Sequence, residues 1–124
     1  MVVGRQRKSL SSETTLTEDT SDPGLLTGLV RRLSHDVGGE LRSNNMQGRV
    51  VKLKLRLADF TTFSRQKAVP APIQSGEDVS RIALELLAAE VSHGRVFRLV
   101  GVGISSLDIC QRSGNGRQLR FAGL

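Results

Sequence analysis

Residues 48–67 carry the clearest pattern in the chain. Val51, Leu53, Leu55 and Leu57 alternate with Lys52, Lys54 and Arg56. Side chains on a strand point to opposite faces with period two, so this strand has one apolar and one cationic face. A turn near Asp59 and a second strand complete a hairpin. Upstream, residues 9–16 are rich in Ser and Thr, with Leu10 and Leu16 on one parity, and predict a polar edge strand. Asp22-Pro23 then opens a helix. Asp caps free backbone N–H groups, and Pro occupies the first position, where its missing N–H costs nothing. Leu25, Leu26, Leu29, Val30, Leu33, Val37 and Leu41 recur at helical spacing, and Ser43-Asn44-Asn45 closes the element. Gly38-Gly39 interrupts that stripe. A helical glycine costs about 1 kcal/mol relative to Ala, so fraying or a bend is expected in the last turns.

After the hairpin, residues 68–76 contain Pro70 and Pro72 and are expected to form a loop. Val79, Ile82, Ala83, Leu86 and Leu87 fit a second amphipathic helix, ending near His93-Gly94. Residues 95–107 predict a last strand. Val96, Val100, Val102 and Ile104 share one parity, and Gly101 and Gly103 lie on the other, where a backbone or ligand could approach closely. The order is β-α-β-β-α-β. Two apolar helix stripes and one apolar sheet face can bury each other in two layers, which places the chain in the α+β class and leaves the opposite sheet face open. Residues 1–8 are basic and aperiodic and read as a linker, residues 9–107 as the domain, and residues 108–124 as a flexible tail with an apolar end.

Composition narrows the partner. The chain has 124 residues, enough for one ordinary domain. It has no Trp or Tyr and four Phe, so its core must be mainly aliphatic. Net charge is +6, but the distribution says more. Residues 9–47 hold three Arg against six carboxylates, whereas residues 48–67 hold six basic residues against Asp59 alone. That asymmetry points to a polyanion, with a solvated strand face as the plain alternative. The single Cys110 excludes an internal disulfide and suits a reducing compartment. The first ten residues lack the apolar segment of a secretory signal, and no apolar run reaches the roughly 18 residues of a membrane span. A soluble, cytoplasmic protein with no membrane partner is expected.

Catalytic chemistry finds no footing in the residues. His35 and His93 stand singly near helix ends, as surface or capping residues do. Cys110 has no His in a recognisable motif, and no phosphate-binding loop signature occurs. Gly101-Val-Gly103 lacks the third glycine and following helix of a dinucleotide fingerprint. Asp19 and Asp22 sit where a helix begins, which favours acids through the helix dipole rather than a metal. Neither a catalytic nor a metal site is predicted.

Three blocks, in order, resemble the little finger domain of Y-family translesion DNA polymerases of the DNA polymerase IV type. They are Arg7-Lys-Ser-Leu-Ser-Ser-Glu-Thr-Thr15, Gly48-Arg-Val-Val-Lys-Leu-Lys-Leu-Arg-Leu-Ala-Asp-Phe-Thr-Thr-Phe-Ser-Arg65 and Arg98-Leu-Val-Gly-Val-Gly-Ile-Ser105. The resemblance implies a four-stranded antiparallel sheet with two helices on one face, a ferredoxin-like arrangement of reversed topology. It also implies that the open face lies along DNA and holds phosphates on both strands without reading sequence. On that resemblance Lys52, Lys54, Arg56, Arg65 and Lys67 are phosphate contacts and Thr61 a hydroxyl donor, with Arg98, Lys8 and Ser9 as further DNA contacts. Ser11 stands where the family usually has Gly.

The closing Gln118, Leu119, Phe121 and Leu124 resemble the peptide with which these polymerases bind the sliding clamp. The family's catalytic carboxylates and their Mg2+ belong to a palm domain whose sequence is not here, so no cofactor and no polymerisation by this chain alone are expected. A polymerase core acting in trans is an implied partner. The expected function is sequence-nonspecific binding of duplex primer–template DNA, damaged or not, through the basic sheet face, as the accessory domain of a lesion-bypass polymerase. Two alternatives are a clamp-binding module and a single-stranded RNA binder that stacks bases on Phe63 at the open face.

Overall fold

A computed structural model describes residues 9–91 and 94–110. Strand β1 (Ser9–Thr20) leads into helix α1 (Pro23–Ser43). The hairpin of β2 (Met46–Leu57) and β3 (Thr62–Ile73) follows, then helix α2 (Gly76–Val91), strand β4 (Phe97–Ser105) and a two-residue strand β5 (Asp108–Ile109). The sheet order is β1-β4-β2-β3, every pairing antiparallel, with β5 appended to the start of β2. Both helices cover one face, and β4 and β2 form the centre. The fold is the predicted α+β sheet with two helices.

The apolar parity of β2 does what its alternation demands. Val51, Leu53 and Leu55 are fully buried and join Val100, Val102 and Ile104 of β4. Leu26, Val30, Leu33, Val37 and Leu41 of α1 and Val79, Ile82, Ala83 and Leu87 of α2 close the cluster. Burying each such side chain contributes about 1.5–3 kcal/mol relative to exposure. The Asp22 carboxylate accepts from the Gly24 N–H at 2.9 Å, capping α1 ahead of Pro23.

Several sequence expectations give way to tertiary context. Helix α1 runs unbroken through Gly38 and Gly39, because Gly38 is where the second helix crosses the first. A Cβ at Gly38 would lie 2.3 Å from the Gly76 nitrogen. The glycine reflects close approach, not a break. Residues 68–73 extend β3 instead of forming a loop. Regular pairing ends at Val50↔Ala68 and resumes at Gly48↔Ile73, so β3 carries extra residues between these points. Pro70 and Pro72 fall inside that irregularity on an edge strand, where no ladder bond needs their N–H. Strand β1 likewise continues to Thr20 past an irregularity between Thr15 and Thr20.

The last strand starts at Phe97, not at residue 95. Val96 is 41% exposed, whereas Phe97 is wholly buried, reversing the expected parity at that end. The cause is a bulge: Arg56 faces Leu99, but Leu57 faces Phe97, leaving Arg98 as the extra residue. The start of the expected flexible tail is also ordered by pairing. Asp108 and Ile109 face Gln47 and Met46, and the Cys110 N–H donates to the Asn45 carbonyl at 2.8 Å.

Candidate nucleic-acid interface

Register decides what the open face contains. Lys52 faces Gly103, Lys54 faces Gly101 and Arg56 faces Leu99 across β4. On β3 their partners are Gln66, Ser64 and Thr62. On the far side of β4, Ser11 faces Gly103, Glu13 faces Gly101 and Thr15 faces Leu99, and Ser9 faces Ser105. Directly opposed residues share a face. The helix-free surface is therefore a cationic row on β2, a nearly bare central strand and a hydroxyl-bearing row on β1.

Gly101 and Gly103 make the centre a trough. Without their side chains it has a volume of about 170 Å³, walled by Ser9, Ser11 and Glu13 on one side and Lys52 and Lys54 on the other. A Cβ at Gly101 would sit 3.1 Å from the Glu13 Cβ, and one at Gly103 3.2 Å from the Leu10 carbonyl oxygen. Lys52 is exposed and has no ion-pair partner among the described residues. Lys54 donates to Glu13 Oε1 at 3.1 Å. Arg56 Nε donates to Thr62 Oγ1 at 2.8 Å, which holds the guanidinium along the sheet.

Two predicted phosphate contacts lie elsewhere. Arg65 faces Leu53 and Lys67 faces Val51, so both share the parity of the core and belong to the helix-covered side of edge strand β3. Arg65 pairs with Glu90 at 3.1 Å and Lys67 with Glu85 at 2.8 Å, both on α2. The Lys67 ammonium, through its hydrogen bond and its charge, holds the Glu85 carboxyl below the usual glutamate range. Phe63, the aromatic expected on the open face, faces Leu55 instead and packs against the core. Arg65 and Arg95 stack over its ring at 4.7 and 5.1 Å from the centroid. The base-stacking reading thus loses its platform.

At the hairpin end, the Thr61 N–H donates to Asp59 Oδ1 at 2.9 Å. That bond, seconded by the Thr61 hydroxyl, lowers the Asp59 pKa from its ordinary value. Thr61 thus closes the turn beside Phe60, which is 66% exposed and has a positive φ of 72°. The bulge re-aims Arg98 onto the Phe60 ring, 4.5 Å from its centroid, and toward Asp19 at 3.4 Å. Arg98 therefore lies at the end of the sheet, apart from the Lys52–Lys54 row. Arg98 falls on the same parity as the apolar Val96 and Val100, which was the one sequence sign of its bulge, whereas nothing in the pattern pointed to Glu13 in the trough. Lys8, His93, Gln118, Leu119, Phe121 and Leu124 lie outside the described residues. Among the described residues no cluster of His, Cys, Asp or Glu could hold a metal, and no helix is long and apolar enough to cross a membrane.

Comparison with known proteins places this geometry. Residues 7–121 match the impB/mucB/samB family C-terminal domain. DNA polymerase IV of Dehalococcoides mccartyi (strain ATCC BAA-2266 / KCTC 15142 / 195) is 40% identical over 106 residues, covering 85% of this chain and 27% of that protein. DNA polymerase IV of Methanoculleus marisnigri (strain ATCC 35101 / DSM 1498 / JR1) is 38% identical over 108 residues, covering 86% of this chain and 30% of its own length. The chain thus spans less than a third of these curated relatives.

Among solved structures, an insertion ternary complex of Dbh DNA polymerase superposes with a TM-score of 0.72 at 17% identity, over 82% of this chain and 29% of that one. A complex of the beta-clamp processivity factor and the little finger domain of PolIV gives a TM-score of 0.63 at 21% identity, over 94% of this chain and 99% of that chain. At these identities the structural likeness speaks for the fold, and the sequence match carries the kinship. The chain belongs to the impB/mucB/samB C-terminal domain family, the little finger of Y-family DNA polymerases of the DNA polymerase IV type.

Proposed function

We propose that this domain holds duplex primer–template DNA, damaged or not, through its helix-free sheet face, as the accessory domain of a lesion-bypass polymerase. The observation that carries the reading is the row of Lys52, Lys54 and Arg56 beside a glycine-floored trough on an otherwise open sheet. Cations at successive positions of one strand face lie roughly 7 Å apart, a spacing that can follow a sugar–phosphate backbone. Such contacts add affinity without reading bases, as a protein that must accept an altered template requires. Ser9, at the rim of the trough, is the β1 residue of the predicted set best placed to add a hydroxyl. Polymerisation is assigned to a catalytic core, joined to this domain or acting in trans, whose palm would supply Mg2+.

The test is fluorescence anisotropy of a labelled primer–template duplex with the full chain. Affinity should fall steeply with salt and vary little with sequence. Lys52→Glu combined with Lys54→Glu should weaken binding at low salt by about a hundredfold or more, counting repulsion as well as two lost contacts. Unchanged affinity would sink the reading.

A second partner is suggested by the likeness to a little finger domain solved with a beta-clamp processivity factor. The candidate contact is Gln118, Leu119, Phe121 and Leu124. Clamp capture that is lost on deleting residues 118–124, with DNA binding retained, would separate the two roles.

A further inference from the structure

The cationic face is not uniformly cationic. Glu13 of β1 extends its carboxylate across the central strand to Lys54 of β2, and the two meet at 3.1 Å above Gly101. Gly101 leaves room for the contact: a Cβ there would stand 3.1 Å from the Glu13 Cβ, a tight approach, and a larger side chain would enter the space in which the two groups meet. The carboxylate thus sits inside the trough, on the row where a nucleic-acid backbone is proposed to lie. We propose that Glu13 is an internal surrogate for a DNA phosphate. Its carboxylate occupies the seat at which a backbone phosphate meets Lys54, and bound DNA displaces it. The inference rests on the DNA-binding reading and deepens it.

The chemistry fits exchange. A carboxylate and a phosphodiester both accept charge-assisted hydrogen bonds from an ammonium. Glu13 and Lys54 side chains keep 50% and 37% of their exposure, and an ion pair that open to water is weak. An incoming phosphate backed by Lys52 and Arg56 on the same strand face can compete with it. Lys67 and Arg65 differ: their carboxylates stand on α2, on the other side of the sheet, and compete with nothing at this face. Glu13 therefore lowers the resting affinity of the domain. Unoccupied, the face is partly self-neutralised, and every binding event must break one internal pair.

A double-mutant cycle tests this on the full chain, read by anisotropy of a fluorescein-labelled DNA duplex at low salt. Glu13→Gln, which keeps the shape and removes the charge, should tighten binding about two- to fivefold, the range of one exposed ion pair. In the Lys54→Met background the same change should bring a much smaller gain, since no pair remains to be broken. Glu18→Gln removes a β1 charge outside the trough and serves as the control. A Glu13→Gln gain that persists in full without Lys54, or that Glu18→Gln matches, overturns the proposal in favour of general repulsion. A lowered thermal midpoint with unchanged affinity overturns it in favour of a strand tie. Wild-type protein that fails to bind while Glu13→Gln binds supports it. Failure of both proteins to bind overturns the DNA reading and this inference together, whereas binding by both with equal affinity overturns this inference alone.

Discussion

Gly38 and Gly39 are neighbours in α1, yet they meet opposite surroundings. A methyl group on Gly38 would run into the Gly76 backbone, with contacts at 2.3 and 2.6 Å, whereas one on Gly39 would meet nothing within 4 Å. Backbone cannot rotate away as a side-chain tip can, so Gly38→Ala must push the helices apart. We expect it to destabilise by about 3 kcal/mol, at the upper end of overpacking effects. Gly39→Ala should stabilise by about 0.5–1 kcal/mol, through helix propensity and a less flexible unfolded chain. Urea denaturation of both variants checks the pair, and equal effects in either direction would contradict a helix crossing at Gly38. The same reasoning separates Lys52 from Lys67. Both are exposed lysines of one hairpin, but they belong to opposite faces.

Edge strand β3 shows how elements are tied where the core does not reach. Its helix-side residues Arg65 and Lys67 are fastened to α2 by Glu90 and Glu85, and Phe63 lies under the Arg65 and Arg95 guanidinium groups. Glu90 is 8% exposed in its side chain and accepts from Arg65 and also from Arg95, which precedes β4. One carboxylate thus links β3, the end of α2 and the approach to β4. Removing a partner from a buried pair leaves an uncompensated charge, but both arginines here keep access to water. Glu90→Gln is therefore expected to cost about 1–2 kcal/mol rather than the larger penalty of a fully buried pair. A midpoint shift in urea measures this. Loss of protection in β3 amides by hydrogen exchange, ahead of β2, would locate the effect on the edge strand.

The molecule as a whole carries +6 on an aliphatic two-layer fold, and several of its cations are held by carboxylates. Its acid response follows from two of those groups. The Glu85 pKa is lowered by Lys67, and that of Asp59 by the Thr61 N–H. Both folded values lie below the unfolded ones, which are near 4.5 and 3.8. Their stabilisation is thus fully present above the unfolded values and is lost as pH falls through the depressed folded ones. Net positive charge rises in the same window, so unfolding by acid is promoted twice. Lys67→Met isolates the first part. Wild type should be the more stable protein at neutral pH, and its margin should shrink below about pH 4.5. A margin that stays constant down to acid unfolding would show that the Glu85 pair is not its source.

Much of this was written locally in the chain. Period two in residues 51–57 declared one apolar and one cationic face, and period 3.6 in α1 and α2 declared two stripes to cover the apolar one. Together these required two layers with a face left open, because no other arrangement buries all three surfaces. Tertiary structure decided the rest, and the common reason is that face and contact depend on register with a neighbour. Pro70 and Pro72 look like a loop until an edge irregularity removes their need to donate. Gly38 looks like a helix break until Gly76 arrives against it. The bulge at Arg98 inverts the parity of Val96 and Phe97, and the pairing of β3 with β2 sends Arg65 and Lys67 to the helix side. Glu13 and Lys54 are 41 residues apart in sequence and meet only because β1 and β2 flank the same glycine.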